Sequence, residues 1–155
     1  MDEQQSSEII NIIKEILAQM GVESTVEAED GIRGKIFNIS SRDSNLLIGQ
    51  RGANLSALQY LAQAIAYKRL QLPERFMLDV DDYRRKREWY LRETAKKAIE
   101  QIRRTHRAVM LEPMPAYERR VIHAYLSEER EVETESVGKE PNRRIVIKPK
   151  ERGSI

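Results

Sequence analysis

The apolar positions of this chain fall into long stretches with helical spacing and short stretches in which apolar and polar positions alternate. The first helical stretch follows a polar tail that ends at Gln5. We expect its cap at Ser6 or Ser7 and its stop at Gly21. One apolar stripe runs along this predicted helix and consists of Ile9, Ile12, Ile13, Ile16 and Met20.

Three strands and two further helices are predicted in the rest of the first half. Residues 24–29 have the pattern of a short exposed strand, and residues 35–40 have a clearer strand pattern. A short apolar helix then leads through a glycine-bracketed loop into a long helix that ends near Leu70, and residues 75–80 resemble a buried strand. The predicted order over residues 7–80 is therefore helix, strand, strand, helix, helix, strand.

The second half begins without a flexible linker and has a different order of elements. A long helix is predicted from Tyr83 to about Arg104, followed by a strand at 108–111. Pro115 suits the first turn of a helix over 116–126. Two strands, 132–136 and 144–148, flank a polar loop and predict a hairpin.

Composition limits the class of protein. The 155 residues suffice for one ordinary domain or two small ones, and the absence of cysteine excludes disulfides and thiolate metal sites. The sequence has no signal peptide and no apolar run long enough to span a membrane, so we expect a soluble, cytoplasmic protein. Charge is uneven, with −5 over residues 1–82 and +7 over residues 83–155. The second half is therefore the expected partner of a polyanion.

The loop Gly49-Gln50-Arg51-Gly52 joins the two central helices of the first half. Glycine reaches unusual backbone angles and allows another backbone to approach closely. The helix start that follows the loop favours an anion such as a phosphate. We expect the side chains of Gln50 and Arg51 at the tip to point to solvent, where Arg51 adds a positive charge. The alternative interpretation is an ordinary turn between two helices.

The position of this loop within the element order resembles the type II KH domain, the bacterial form of that module. The resemblance implies that the loop clamps the backbone of single-stranded nucleic acid. This sequence departs from many KH loops at Gln50, where a basic residue is common. Because the loop carries one cation instead of two, we expect this domain alone to bind nucleic acid with modest affinity.

The predicted helix that opens the second half begins with a basic run, of which Arg84 and Arg87 are the candidate phosphate contacts. Such contacts dominate the affinity of proteins for nucleic acids. The alternative is a solvated helix face with no specific role. Trp89 follows this run, and we expect it to be packed rather than stacked on a base.

Arg119 and His123 lie one helical turn apart, beside the apolar stripe of the predicted helix 116–126. This pair, followed by a hairpin, resembles the R-3-H domain, a small binder of single-stranded nucleic acid named for an arginine and a histidine separated by three residues. The resemblance implies that both side chains contact nucleic acid. The alternative is a structural role for both.

The combination of a KH-like unit, a long basic helix and an R-3-H-like unit is similar to the bacterial Jag family, also called KhpB or EloR. The resemblance covers nearly the whole chain and rests also on the segments 113–120 and 140–144. It implies an RNA chaperone or post-transcriptional regulator linked to cell elongation, wall synthesis or sporulation. It also implies a KH-only partner of the KhpA type, joined through the KH domain, or a homodimer. The resemblance also implies that longer members carry an extra N-terminal domain, for which we expect no counterpart in this sequence.

We therefore predict an α+β protein of two tandem domains that binds single-stranded RNA without a cofactor or a metal. The type II KH domain is expected at 1–82, the R-3-H domain, with helices on a small three-stranded sheet, at 83–150, and a disordered tail at 151–155. A nuclease using His106 and His123 is disfavoured, because no cluster of carboxylates and histidines accompanies them. Three alternatives remain: a protein that recognises duplex DNA, a protein that binds single-stranded DNA, and a protein-assembly module.

Overall fold

The computed structural model describes residues 1–72 and 75–151 of the chain. The chain forms two compact units, Met1–Arg84 and Arg85–Ile155. Each unit contains helices and one three-stranded sheet, which confirms the predicted α+β class. In the described ranges no helix combines the length and the apolar character that crossing a membrane requires. Apart from its first residue, the predicted tail lies outside the described residues.

The first unit has the predicted order of helices and strands. Strand β2 lies in the centre of its sheet, antiparallel to β1 and parallel to β3. A single 3₁₀ turn, Gln50–Gly52, joins the two central helices. The elements are α1 (Glu3–Gln19), β1 (Thr25–Gly31), β2 (Gly34–Ser40), α2 (Ser44–Ile48), α3 (Ala53–Leu70) and β3 (Met77–Val80).

Helix α1 begins before the predicted start, and the expected cap at Ser6 or Ser7 is wrong. Asp2 is the cap residue: its carboxylate accepts the backbone N–H of Gln5 at 2.8 Å, and the Gln5 side chain accepts the backbone N–H of Asp2 at 3.0 Å. This reciprocal pair satisfies two amides of the first turn, so the tail predicted to be irregular is helical. The helix ends at Gln19, just before Gly21, as the glycine predicted.

The core of the first unit lies between its sheet and the helices α1 and α3. The register pairs Phe37 with Leu78 and Ile39 with Val80, which places these side chains in the core. Phe76 meets Phe37 edge to face, with 5.3 Å between the ring centroids. The helices contribute Ile9, Ile12, Ile13, Leu17, Leu55, Leu58, Ala62 and Ala66.

The second unit has a sheet that is antiparallel throughout, in the order β4-β6-β5. The predicted hairpin is confirmed as β5 and β6, which pair over their whole length. The elements are α4 (Tyr83–Thr105), whose first two residues belong to the first unit, β4 (Val109–Met110), α5 (Ala116–Leu126), β5 (Val132–Val137) and β6 (Arg144–Pro149).

One side of this second sheet faces the helices. Ile145 and Ile147 of β6 are fully buried, and Thr134 lies opposite Ile147 in the register. Because side chains two residues apart share a face, Ser136 of β5 points to the same side as Thr134. Two hydroxyl groups are therefore presented on the face that packs against α5. The helical part of the core consists of Leu91, Ala95, Ala98, Ile99, Ile102, Ile122 and Leu126.

Candidate nucleic-acid interface

The loop between α2 and α3 has a backbone that its two glycines permit. Gly49 has φ +70° and Gly52 has φ +78°, and Arg51 between them is also left-handed at φ +54°. The N–H of Gly49 donates to the carbonyl of Asn45 at 2.9 Å, which ends α2. The N–H of Gly52 donates to the carbonyl of Gly49 at 3.3 Å and closes the turn.

Both glycines are also required by what packs against them. A Cβ on Gly49 would lie 2.6 Å from Cγ of Asn54, and a Cβ on Gly52 would lie 3.1 Å from a ring carbon of Tyr83. The Asn54 amide occupies this space because its Nδ2 donates to the carbonyl of Leu46 at 2.7 Å. This bond connects α3 to α2 across the loop and holds the loop in one shape.

The tip of the loop presents Gln50 and Arg51 to solvent, while Gly52 is buried. The expected exposure of the two tip side chains is therefore confirmed. A guanidinium offers five donors, and a glutamine amide offers donors and an acceptor. The tip can thus bind a phosphate oxygen through Arg51 and hydrogen-bond to a neighbouring sugar or base through Gln50.

Arg84 is held within the first unit. Its Nε donates to the carbonyl of Leu78 at 2.9 Å, and its Nη2 donates to Oε1 of Gln59 at 3.0 Å. Its backbone N–H is accepted by the carboxylate of Asp79 at 3.2 Å. Burial raises the pKa of Asp79 above its ordinary value. The guanidinium therefore ties the start of α4 to β3 and α3, a role that the basic run did not predict.

Arg87 is paired within the second unit. Its Nε and Nη2 donate to the two carboxylate oxygens of Glu118 at 2.7 and 2.9 Å. The Glu118 side chain is only 3% exposed, so this bidentate pair is largely removed from water. The same guanidinium lies 5.0 Å from the centre of the Tyr90 ring. These contacts satisfy the buried carboxylate.

Arg119 is buried, with 7% of its surface exposed. Its Nη1 donates to the carbonyl of Met114 at 2.7 Å, and its Nη2 lies 2.8 Å from Oε1 of Glu140. The expectation that this side chain lies beside the apolar stripe is wrong, because Arg119 turns inward next to Ile122. It connects the segment before α5 to the loop of the β5–β6 hairpin.

His123 is partly buried against the hydroxyl groups of β5. Its Nδ1 lies 2.5 Å from Oγ1 of Thr134, and its Nε2 lies 3.0 Å from Oγ of Ser136. A neutral imidazole donates through one nitrogen and accepts through the other, and a hydroxyl can complete either bond. Burial, and then the positive charge of Arg119, lower the pKa of His123 below its ordinary value of 6.5.

The predicted site residues thus fall into two groups, those exposed to solvent and those bonded within the protein. Gln50 and Arg51 project into solvent, whereas the guanidinium groups of Arg84, Arg87 and Arg119 have internal partners. The contact predicted between these arginines and nucleic acid stays a prediction, and it requires an exchange or sharing of those internal bonds.

Sequence reasoning did not find the residues that hold this arrangement. Asn54 and Glu118 are the main examples. Glu118 occurs at the helical spacing of the buried positions Ile122 and Leu126, and this placement of a carboxylate on the apolar side was a usable signal for a buried ion pair. Asn54 carried no such signal, because its bond depends on how α2 and α3 meet.

Comparison with known proteins shows to which family the chain belongs. The R-3-H domain family matches residues 90–149, which cover α5 and the hairpin. Several relatives carry the name RNA-binding protein KhpB. The relative from Bacillus subtilis is 32% identical over 149 residues, which represent 95% of this chain and 70% of the relative. The chain belongs to the KhpB (Jag) family.

Two other KhpB relatives are more similar in sequence but longer. The relative from Clostridium symbiosum is 39% identical over 128 residues and the one from Lactiplantibacillus plantarum is 34% identical over 132 residues. These matches include 83% and 85% of this chain. The chain spans only 58% and 41% of the two relatives, respectively. The family and the predicted R-3-H domain in the second half are confirmed by these matches.

Proposed function

We propose that this chain binds single-stranded RNA, without chemistry and without a cofactor or metal. The observation that carries the proposal is the loop Gly49–Gly52, in which a bond from Asn54 fixes the backbone and Arg51 projects into solvent. The KhpB relatives are named RNA-binding proteins, and this supports RNA as the ligand.

The first unit acts as a type II KH domain in this proposal. Its element order and its GxxG loop between α2 and α3 match the arrangement expected of that module. The loop backbone and Arg51 grip phosphates and leave the bases splayed, which favours a single strand over a duplex. Because the loop carries one cation, the second unit must supply part of the affinity.

The second unit contributes the positive field. Its net charge attracts the RNA backbone, and the affinity it provides should depend strongly on salt. In this proposal Arg119 and His123 act mainly by holding the hairpin and its loop in the binding-competent shape. Their contacts with Glu140, Thr134 and Ser136 support this division of roles.

The biological role that we propose is the one implied by the family resemblance. We place the chain in the cytoplasm as an RNA chaperone or post-transcriptional regulator, linked to cell elongation, wall synthesis or sporulation.

A protein partner is proposed at α3, where Tyr60, Leu61 and Tyr67 are 78%, 44% and 68% exposed. Tyr60 and Tyr67 border a cavity of about 360 Å³. A second KH domain, from another copy or from a KH-only protein, fits this apolar face.

Competition and salt dependence test the substrate class. Labelled single-stranded RNA is bound to the full chain and competed with unlabelled single-stranded RNA, single-stranded DNA and duplex DNA. We expect RNA to compete best and duplex DNA least. Log affinity should fall linearly with log salt at about −0.7 per contacted phosphate. Better competition by duplex DNA, or cleavage of the labelled RNA, would contradict the proposal.

A further inference from the structure

Trp89 is the only tryptophan of the chain, and 65% of its surface is exposed on α4. The expectation that it is packed is therefore wrong. The buried side of α4 is formed by Leu91, Ala95 and Ala98, and the indole lies away from these residues. A single exposed apolar side chain is ordinary on a protein surface, so the meaning of this one depends on its neighbours.

Those neighbours are mostly cations. On a helix, residues three and four positions away lie on the same surface, and for Trp89 these are Arg85, Lys86, Arg92 and Glu93. Apart from Arg84 and Arg87, whose guanidinium groups have internal partners, residues 84–97 of α4 contain five lysines and arginines but only two glutamates. The indole therefore lies in a strongly positive surface, which attracts a polyanion.

The ring faces of Trp89 are also open. The two neighbouring tyrosines differ from it, since the guanidinium of Arg87 lies over the ring of Tyr90 and that of Arg92 lies 5.9 Å from the centre of the Tyr125 ring. Among the residues that the structure describes, no ring contact or cation–π contact involves Trp89. A planar ligand can therefore stack on the indole without displacing a protein group.

A positive surface around an open aromatic ring fits a single-stranded nucleic acid. Proteins that bind single-stranded nucleic acids combine cations that follow the phosphates with aromatic rings on which bases stack. A protein interface is a poorer fit, because charged groups are scarce in the core of such an interface, whereas all four helix neighbours of Trp89 are charged. We propose that Trp89 is a base-stacking residue that binds one unpaired base of the RNA while the surrounding cations of α4 contact its phosphates.

This inference rests on the proposed RNA binding and adds a source of selectivity to it. A base within a duplex is stacked on both sides and cannot reach the indole, whereas an unpaired base can. Every base has a π face, so the contact discriminates strand number rather than sequence. The stacking site lies outside residues 90–149, the segment matched by the R-3-H domain family.

The single tryptophan makes the inference directly measurable, because emission excited at wavelengths that tyrosine does not absorb comes from Trp89 alone. The chain is titrated with end-labelled single-stranded RNA, and both the anisotropy of the label and the tryptophan emission are recorded. We expect the emission to be quenched with the same midpoint as the rise in anisotropy. Trp89→Leu should weaken binding at least about fivefold, and Trp89→Phe should retain most of the affinity.

Tyr90→Leu is the matched control, since Tyr90 is exposed on the same helix but has a cation over its ring. We expect it to change affinity less than about twofold. Binding in the anisotropy channel with unchanged emission, or equal losses in Trp89→Leu and Tyr90→Leu, would overturn the stacking role and leave the proposed function intact. Absence of binding by the unsubstituted chain would overturn both. A change of emission with protein concentration in the absence of RNA would assign the ring to a protein contact and also overturn the inference.

Discussion

Nδ2 of Asn54 donates to the carbonyl oxygen of Leu46 at 2.7 Å, and this one bond links the helices on either side of the candidate RNA-binding loop. The same amide fills the space that a side chain on Gly49 would need. The shape of the loop therefore depends on a residue outside it. This relationship leads to the first prediction.

Asn54→Ala should weaken RNA binding by about three- to tenfold, because an exposed hydrogen bond of roughly 1 kcal/mol no longer holds the loop closed. Stability should change by no more than about 1 kcal/mol. The matched control is Asn11→Ala, on the exposed side of α1. Binding isotherms and urea melts of both variants provide the check. Equal affinities for the two variants would show that this bond does not shape the loop for binding.

A second prediction concerns the pair formed by Arg87 and Glu118. Arg87→Ala leaves a carboxylate that is 3% exposed without its bidentate partner, and we expect a loss of about 2–4 kcal/mol in the free energy of unfolding. Arg103→Ala is the control, because its bidentate pair with Glu131 is exposed and should contribute far less to stability. Urea denaturation curves measure the free energy of unfolding of both variants.

A further substitution separates structure from binding at this position. Adding Glu118→Gln to Arg87→Ala should recover part of the lost stability, since a neutral amide is less costly to bury than a charge. If the refolded double variant binds RNA as tightly as the unsubstituted chain, Arg87 acts structurally. Reduced affinity of the double variant, under conditions in which it is fully folded, would instead support the predicted phosphate contact.

The third prediction is a pH dependence that comes from His123. Its pKa is lowered in the folded chain, so the unfolded state takes up the proton first as the pH falls. The stability linked to the neutral imidazole is therefore complete above about pH 6.5 and is lost as the pH falls below that value. His123→Asn should show a shallower loss of stability across this window in melts recorded at several pH values.

The other histidine supplies the control for this profile. His106→Asn removes an exposed imidazole. The stability of this variant should fall with decreasing pH in the same way as that of the unsubstituted chain. The raised pKa of Asp79 acts in the opposite direction, since protonation of that buried carboxyl favours the folded state, but it contributes equally to all three proteins. Identical profiles for His123→Asn and the unsubstituted chain would contradict the assignment.

Much of the fold followed from periodicity, and its failures have physical causes. The hairpin and the central strands were predictable because apolar alternation fixes which face is buried. The start of α1 was missed because the capping pair of Asp2 and Gln5 lies in a stretch with no apolar residue. Capping stabilises a helix end locally, and it leaves no mark in the hydrophobic pattern.

The site was harder to predict than the fold. The exposure of Gln50 and Arg51 followed from the glycines that bracket them. The burial of Arg119 did not, because a buried guanidinium needs partners that are distant in sequence, here the Met114 carbonyl and Glu140. The exposure of Trp89 was missed for a related reason: an aromatic residue near a domain start is packed only if another element reaches it.

The most direct test of the account is the affinity for single-stranded RNA of a variant that carries Gln50→Asp and Arg51→Asp. Both side chains are exposed, and aspartate tolerates the left-handed backbone at position 51, so the fold should be retained. The control carries Ile32→Asp and Arg33→Asp, which make the same change of charge at an exposed turn of the same unit. We predict a loss of at least about tenfold in affinity for the loop variant and little change for the control. Equal affinities of the two folded variants would contradict the central role of the loop.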